Sequence, residues 1–222
     1  MYKIFVLYYQ GKYTKDYVDK LYRGIKRNCK VPFRFHAYSD TPVMCDHMIM
    51  LRDTLPGHWH KIKFFDKKFT GEGDIIVMDI DQEVVNNLEP LFDMNVPKGS
   101  IGSIEKWWTL EPACELDGGF YKWHANTLTH VYDTFYQDPM KWMTKYWKER
   151  IVTIPYFGEQ NFVSEMTDKH VIAPGRLATR YREDKYKQLQ ILYFSVSDGD
   201  ILRADDVWSE NIVLVHHSKY IG

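Results

Sequence analysis

The chain has 222 residues, enough for one large domain, and its 45% hydrophobic and 27% charged residues exclude a disordered or fibrous protein. With 29 basic and 30 acidic side chains the net charge is −1, which excludes the overall basic footprint of a nucleic-acid or anionic-lipid binder. Cys29, Cys45 and Cys114 are odd in number, far apart and without a CxxC, so free thiols in a reducing compartment are expected rather than a disulfide scaffold or zinc knuckle.

The N-terminal "MYKIFVLYYQ" is too short for a signal h-region or a membrane span. A cytoplasmic location without a transmembrane segment is expected. Within it, Lys3 to Tyr9 reads as a buried strand and Gly11 as its breaker. Thr14 offers an N-cap to a helix on which Tyr17, Val18, Leu21, Tyr22 and Ile25 recur at helical spacing. "VPFRFHAYSD" turns Phe33, Phe35 and Ala37 to one side and reads as a second strand. "HMIMLRD" is a short third. Trp59, Ile62, Phe65 and Phe69 are three, three and four apart, the spacing of one helix face. "DIIVMD" is a fully apolar strand.

Further on, Thr127 to Tyr136 and Met140 to Lys148 read as helices. "GEQNFVSEM" reads as a helix start after a glycine, and "NIVLVHH" as a last short strand. Strands alternating with helices predict an α/β fold with a central, mostly parallel sheet flanked by helices. A single domain over 1–222 is expected, with a nucleotide-binding half (about 1–105) and a loop-rich half that builds a substrate site (about 106–222).

The acidic pair Asp79-Ile80-Asp81 follows the apolar strand directly. In extended backbone, residues two apart point to the same side. Ligands of open α/β sheets bind outside the carboxyl ends of the strands. Two carboxylates this close raise one another's pKa unless a cation sits between them, and a hard divalent ion suits them. The bare motif has two readings, a solvated turn and a cation site. Asp198-Gly199-Asp200, after "FSVS", reads as the turn; the buried strand before Asp79 favours the cation site. His216 and His217 close another apolar strand and offer a third ligand. An imidazole beside carboxylates favours Mn²⁺ over Ca²⁺.

"IIVMDIDQEVVNNLEPLF" resembles the strand, DxD and following L-x-x-L-F of GT-A fold glycosyltransferases. The likeness is to the family 8-like group that includes glycogenin and bacterial galactosyltransferases. "GKYTKDYVDKLYRGIKRNCKVPFRFHAYSD" is similar to the N-terminal segment of small bacterial and viral members. "GHWHKIKFF", "LDGGFYKW", "GEQNF" and "VLVHHSK" resemble their later motifs in order. For a viral chain, the compartment would be the host cytosol.

The resemblance implies transfer of a sugar from a nucleoside-diphosphate sugar, UDP-sugar first, to a glycan, glycoprotein or other hydroxyl acceptor. It implies Mn²⁺ or Mg²⁺ held by Asp79, Asp81 and His216. Lys61 and Lys219 would face the diphosphate, the Ile80 backbone the ribose, and Tyr8 and Tyr9 the base. Asp117, Gly118 and Gly119 would border the donor sugar or acceptor, and Glu159 and Gln160 the anomeric carbon. The chain departs from the pattern in three places: Asp117 replaces Asn, Glu159 replaces Asp, and the tail has no glycine between His216 and Lys219. Trp107, Trp108 and Trp123 either stack on an acceptor sugar or fill the core.

Two other readings share the motif. In a haloacid dehalogenase-type phosphatase Asp79 would be the nucleophile, with Asp205-Asp206 and Lys187 as later partners. Against it, Glu83 stands where that family has Thr or Val. The other is a nucleotide-sugar binding module that kept the fold without the chemistry.

Overall fold

The first strand, β1 (Tyr2–Tyr8), is apolar on both faces in the computed structural model, which describes residues 1–84, 86–106, 114–173, 177–181 and 214–217. Ile4, Val6 and Tyr8 enter one core, and Phe5 and Leu7 the other. Such a strand reads as a continuous apolar run because it is covered on both sides. The chain then turns at Gly11, φ 142°, into α1 (Asp16–Asn28), where Val18, Leu21, Tyr22 and Ile25 are buried as their spacing predicts. Thr14 is not its N-cap. That position falls to Lys15, which makes no side-chain capping bond; Asp16 and Asp19 in the first turn complement the helix dipole instead.

β2 (Phe33–Ser39) and β3 (His47–Met50) lie where the alternation puts them. The next segment corrects the sequence reading. Trp59, Ile62 and Phe65 belong to a 3₁₀ helix, Gly57–Phe65, whose three residues per turn stack i and i+3 on one side. Phe69 lies on a separate turn, α2 (Lys67–Thr70), capped by Asp66 accepting from the Lys68 N–H. The three-three spacing fitted the tighter helix, and the aspartate ended it.

Then come β4 (Asp74–Met78), β5 (Gln82–Val84), α3 (Glu89–Phe92), β6 (Ile101–Ser103) and β7 (Phe120–His124). The later residues supply α4 (Thr129–Gln137), α5 (Pro139–Lys148), α6 (Glu159–Met166), β8 (His170–Ile172), β9 (Ala178–Tyr181) and β10 (Leu214–His217). No helix among the described residues is long and apolar enough to cross a membrane.

The central sheet has seven strands in the order β3-β2-β1-β4-β7-β6-β8. β3, β2, β1 and β4 are mutually parallel. β7 runs against both β4 and β6, and β8 follows β6, so within this sheet only β7 is reversed. One face carries Leu21, Ile25, Leu91 and Phe92. The other carries Trp59, Phe64, Phe135 and Phe162. Trp123 is a core residue, its ring stacked 4.5 Å from that of Phe65; Trp107 and Trp108 lie outside the described residues. A smaller sheet sets β10 antiparallel to β5 and parallel to β9. β1 leads to β2 on one side and has β4 on the other, so the β1/β4 edge is the topological switch point where ligands of such sheets bind.

Candidate active site

The register Val6↔Met78 brings the carboxyl ends of β1 and β4 level. β4 stops at Met78, and Ile80 and Asp81 form a turn into β5. Strand alternation therefore does not aim the two aspartates, contrary to the extended geometry expected for them. The turn does so instead. Asp79 and Asp81 both border a cleft that Leu7, Tyr9 and Lys61 also line. The Asp79 N–H donates to the Gly119 carbonyl at 2.9 Å. Ile80 borders the cleft while its side chain packs in the core.

Lys61 reaches this point from the 3₁₀ helix and is buried. Its Nζ lies 2.5 Å from Asp79 Oδ1 and donates to the Gly118 carbonyl at 2.6 Å. Burial pulls its pKa down, but Asp79, then Glu159 and Asp81, outweigh burial and hold it above the ordinary lysine range. A buried charge persists only with such partners. The Tyr13 hydroxyl donates to Asp81 Oδ2 at 2.7 Å. His58 borders the same cleft; burial first, and Lys61 second, lower its pKa to about 4, so it is neutral at pH 7.

Asp117, Gly118 and Gly119 form a turn against this pair. The Gly119 N–H donates to Asp117 Oδ1 at 2.7 Å. The Gly119 carbonyl accepts from Gln82 Nε2 at 2.9 Å as well as from Asp79. The Gly118 N–H donates to Gln160 Oε1 at 3.3 Å. A methyl group on Gly118 would sit 3.0 Å from that oxygen, so the close approach favours glycine. One hydrogen-bonded unit thus joins the acidic turn, the 3₁₀ helix, residues 117–119 and the start of α6.

Gly158 precedes α6 at φ 114°. A Cβ there would lie 2.7 Å from the Tyr146 ring, so both conformation and space call for glycine. The next residue, Glu159, is 5% exposed. The Tyr121 hydroxyl is buried beside its carboxyl group. Burial, opposed by Lys61 and reinforced by Asp79, raises the Glu159 pKa to about 7.

The structure thus gathers Tyr9, Lys61, Asp79, Ile80 and Asp81 at one cleft. It ties Asp117, Gly118, Gly119 and Gln160 to them through hydrogen bonds, and Glu159 through charge. Tyr8 is a correction: strand alternation buries it in the core, and Tyr9 lines the cleft in its place. β10 sets His216 opposite Gln82, the residue after Asp81. Lys219, Asp198, Asp200, Lys187, Asp205 and Asp206 lie outside the described residues. Among the described residues no three His, Cys, Asp or Glu side chains group as a metal site.

Lys12, Tyr13 and His58 also line the cleft and were missed in the sequence. The signals were slight: two residues just past the Gly11 breaker, and a histidine three before Lys61. At 3₁₀ spacing, His58 and Lys61 share a face.

No protein-family model matches the sequence, and no curated protein does. Solved structures are similar in fold. An active-site mutant of LgtC matches over 98% of this chain and 88% of its own, with 10% identity and a TM-score of 0.61. Galactosyltransferase LgtC in complex with donor and acceptor sugar analogs matches over 98% and 87%, with 10% identity and a TM-score of 0.58. The glycosyltransferase GlyE of Streptococcus pneumoniae TIGR4 matches over 78% of this chain and 45% of its own, with 10% identity and a TM-score of 0.53. The chain has the α/β fold of these GT-A glycosyltransferases.

Proposed function

We propose that the chain is a metal-dependent, family 8-like glycosyltransferase. It moves a sugar from a nucleoside-diphosphate sugar, UDP-sugar first, to a hydroxyl of a glycan or glycoprotein. The fold shared with glycosyltransferases supports this reading. One observation carries it: Asp79 and Asp81 border a single cleft at the sheet's switch point, with the buried Lys61 ammonium against Asp79.

Asp79 and Asp81 would hold Mn²⁺ or Mg²⁺, with His216 as third ligand by the β10 register. The donor set fits, since such cations are bound by one or two carboxylates plus substrate phosphate oxygens, and an imidazole suits Mn²⁺. Held there, such a cation would supply positive charge to a departing diphosphate.

The chain's own groups do the rest. Lys61 offers a desolvated positive charge beside the aspartates, where a diphosphate gains negative charge; Lys219 is assigned to the same diphosphate. Tyr9 walls the nucleotide side, and the Ile80 backbone borders the ribose. The turn at Asp117, Gly118 and Gly119 brings backbone close to the donor sugar. Gln160, held by the Gly118 N–H, faces the anomeric carbon with Glu159. At its raised pKa, Glu159 exchanges a proton near neutrality and can take one from an acceptor hydroxyl; placed on the far face of the anomeric carbon it would instead act as nucleophile. Inversion or retention in the product tells which.

Calorimetry with UDP and GDP, with and without Mn²⁺, on the native chain and on Asp81→Ala tests the reading. Metal-dependent nucleotide binding by the native protein, lost in the variant, is expected. Its absence from the native protein ends the proposal. A donor hydrolysis screen then names the sugar. Turnover of an aryl phosphate would point to a phosphatase, and binding without any turnover to an inactive module.

A further inference from the structure

We infer that Tyr13 is a positioning residue that couples cation binding to nucleotide binding, its hydroxyl fixing Asp81 while its own loop walls the same cleft. The inference rests on the glycosyltransferase reading above. Tyr13 and Asp81 are 68 residues apart in sequence, yet the hydroxyl donates to Asp81 Oδ2 at 2.7 Å. No local constraint produces that contact. The loop that carries Tyr13 also supplies Tyr9 and Lys12 to the cleft, and Tyr9 is the residue assigned to the base.

The loop is supported on several sides. Tyr13 packs on Tyr17 of α1 with ring centroids 4.8 Å apart. The Lys12 ammonium lies 4.6 Å from the Tyr13 ring centroid. Gln10 bridges to Tyr13 and donates its N–H to Asp40 at 3.1 Å. A carboxylate has two oxygens and about four lone-pair sites, so the hydrogen bond from Tyr13 at Oδ2 is compatible with ligation by the same group. A phenolic O–H is a hydrogen-bond donor at neutral pH.

Hydrogen-bond partners of ligating carboxylates are worth roughly 10–100-fold in metal affinity. Here that partner sits on the nucleotide-side wall. A cation that fixes Asp81 fixes Tyr13, and a nucleotide that orders the loop orders Asp81. By linkage the two effects are equal.

The test is Tyr13→Phe, which keeps the ring and removes the donor. Thermal melting is measured alongside titrations of Mn²⁺ alone, UDP alone and UDP with saturating Mn²⁺. We expect Mn²⁺ to bind roughly 10-fold or more weakly. The factor by which Mn²⁺ tightens UDP should shrink to match, with UDP binding in the absence of metal near native. A packing role alone would lower the melting temperature and leave the coupling factor intact; that result, or a variant that does not fold, overturns the inference. A native coupling factor in Tyr13→Phe overturns it while leaving the glycosyltransferase reading in place. A native protein without metal-dependent UDP binding removes both.

Discussion

The two ends of β4 make similar use of polar residues, with different results. At the carboxyl end, buried Lys61 meets Asp79 at 2.5 Å, with Asp81 and Glu159 near enough to raise its pKa. At the amino end, buried Lys122 lies 3.7 Å from Asp74 and donates to the carbonyls of Phe92 and Met94. There burial dominates, and the lysine pKa falls. Asp74 is paired with His124 at 2.5 Å, and Asp93 accepts from the Tyr2 hydroxyl. Asp74, Asp93, Lys122 and His124 line a cleft at this end of the strand. At the carboxyl end, Asp79, Glu159 and Asp81 all act on the buried Lys61 ammonium and hold it charged. A buried lysine is therefore no mark of function by itself; its partners decide.

Five substitutions would break or sharpen this contrast. The largest effect is expected for Lys61→Met, which leaves Asp79 without its buried cation. Removing one partner of a buried pair costs roughly 3–5 kcal/mol, to be read by denaturant titration. Lys122→Met orphans two carbonyls at roughly 1–3 kcal/mol each; a larger loss there than at Lys61 would reverse the contrast. Next, Asp81→Ala should lower sugar transfer by about 10²–10³-fold, the usual scale for one lost electrostatic stabiliser, in an initial-rate assay with saturating Mn²⁺.

Glu159→Gln separates charge from shape. The folded pKa, about 7, lies above the ordinary 4.5. The native state therefore keeps a proton that the unfolded chain releases, and stability falls as pH rises from about 4.5 to 7 and stays low above that. The glutamine variant should lose this slope and be more stable than the native chain at pH 8, by at most roughly 3 kcal/mol. Melting curves across the pH series check it, and an unchanged slope refutes it. The smallest effect belongs to His124→Ala at the other end of the strand. A half-exposed ion pair contributes about 0–1 kcal/mol, and nucleotide binding should not change.

Much of the frame was legible because burial writes itself into local pattern. Val18, Leu21 and Ile25 mark a helix face, and Ile75 to Met78 a strand covered on both sides. The misreadings have local causes too. Trp59, Ile62 and Phe65 fit two helix types, and three-residue spacing alone does not choose between them. Tyr8 and Tyr9 are alike in type, and only the strand's register sends one into the core and the other to the cleft.

The sequence by itself determined the α/β frame and the strand end at which Asp79 and Asp81 stand, since periodicity and short apolar runs are properties of neighbouring residues. Only the tertiary structure decided what those carboxylates meet. Lys61, Tyr13, Gly118 and Glu159 come from four other segments, and contacts over such separations are set by sheet order and packing, which no local pattern encodes. Tertiary burial also raised the Glu159 pKa, because desolvation depends on everything packed around a group.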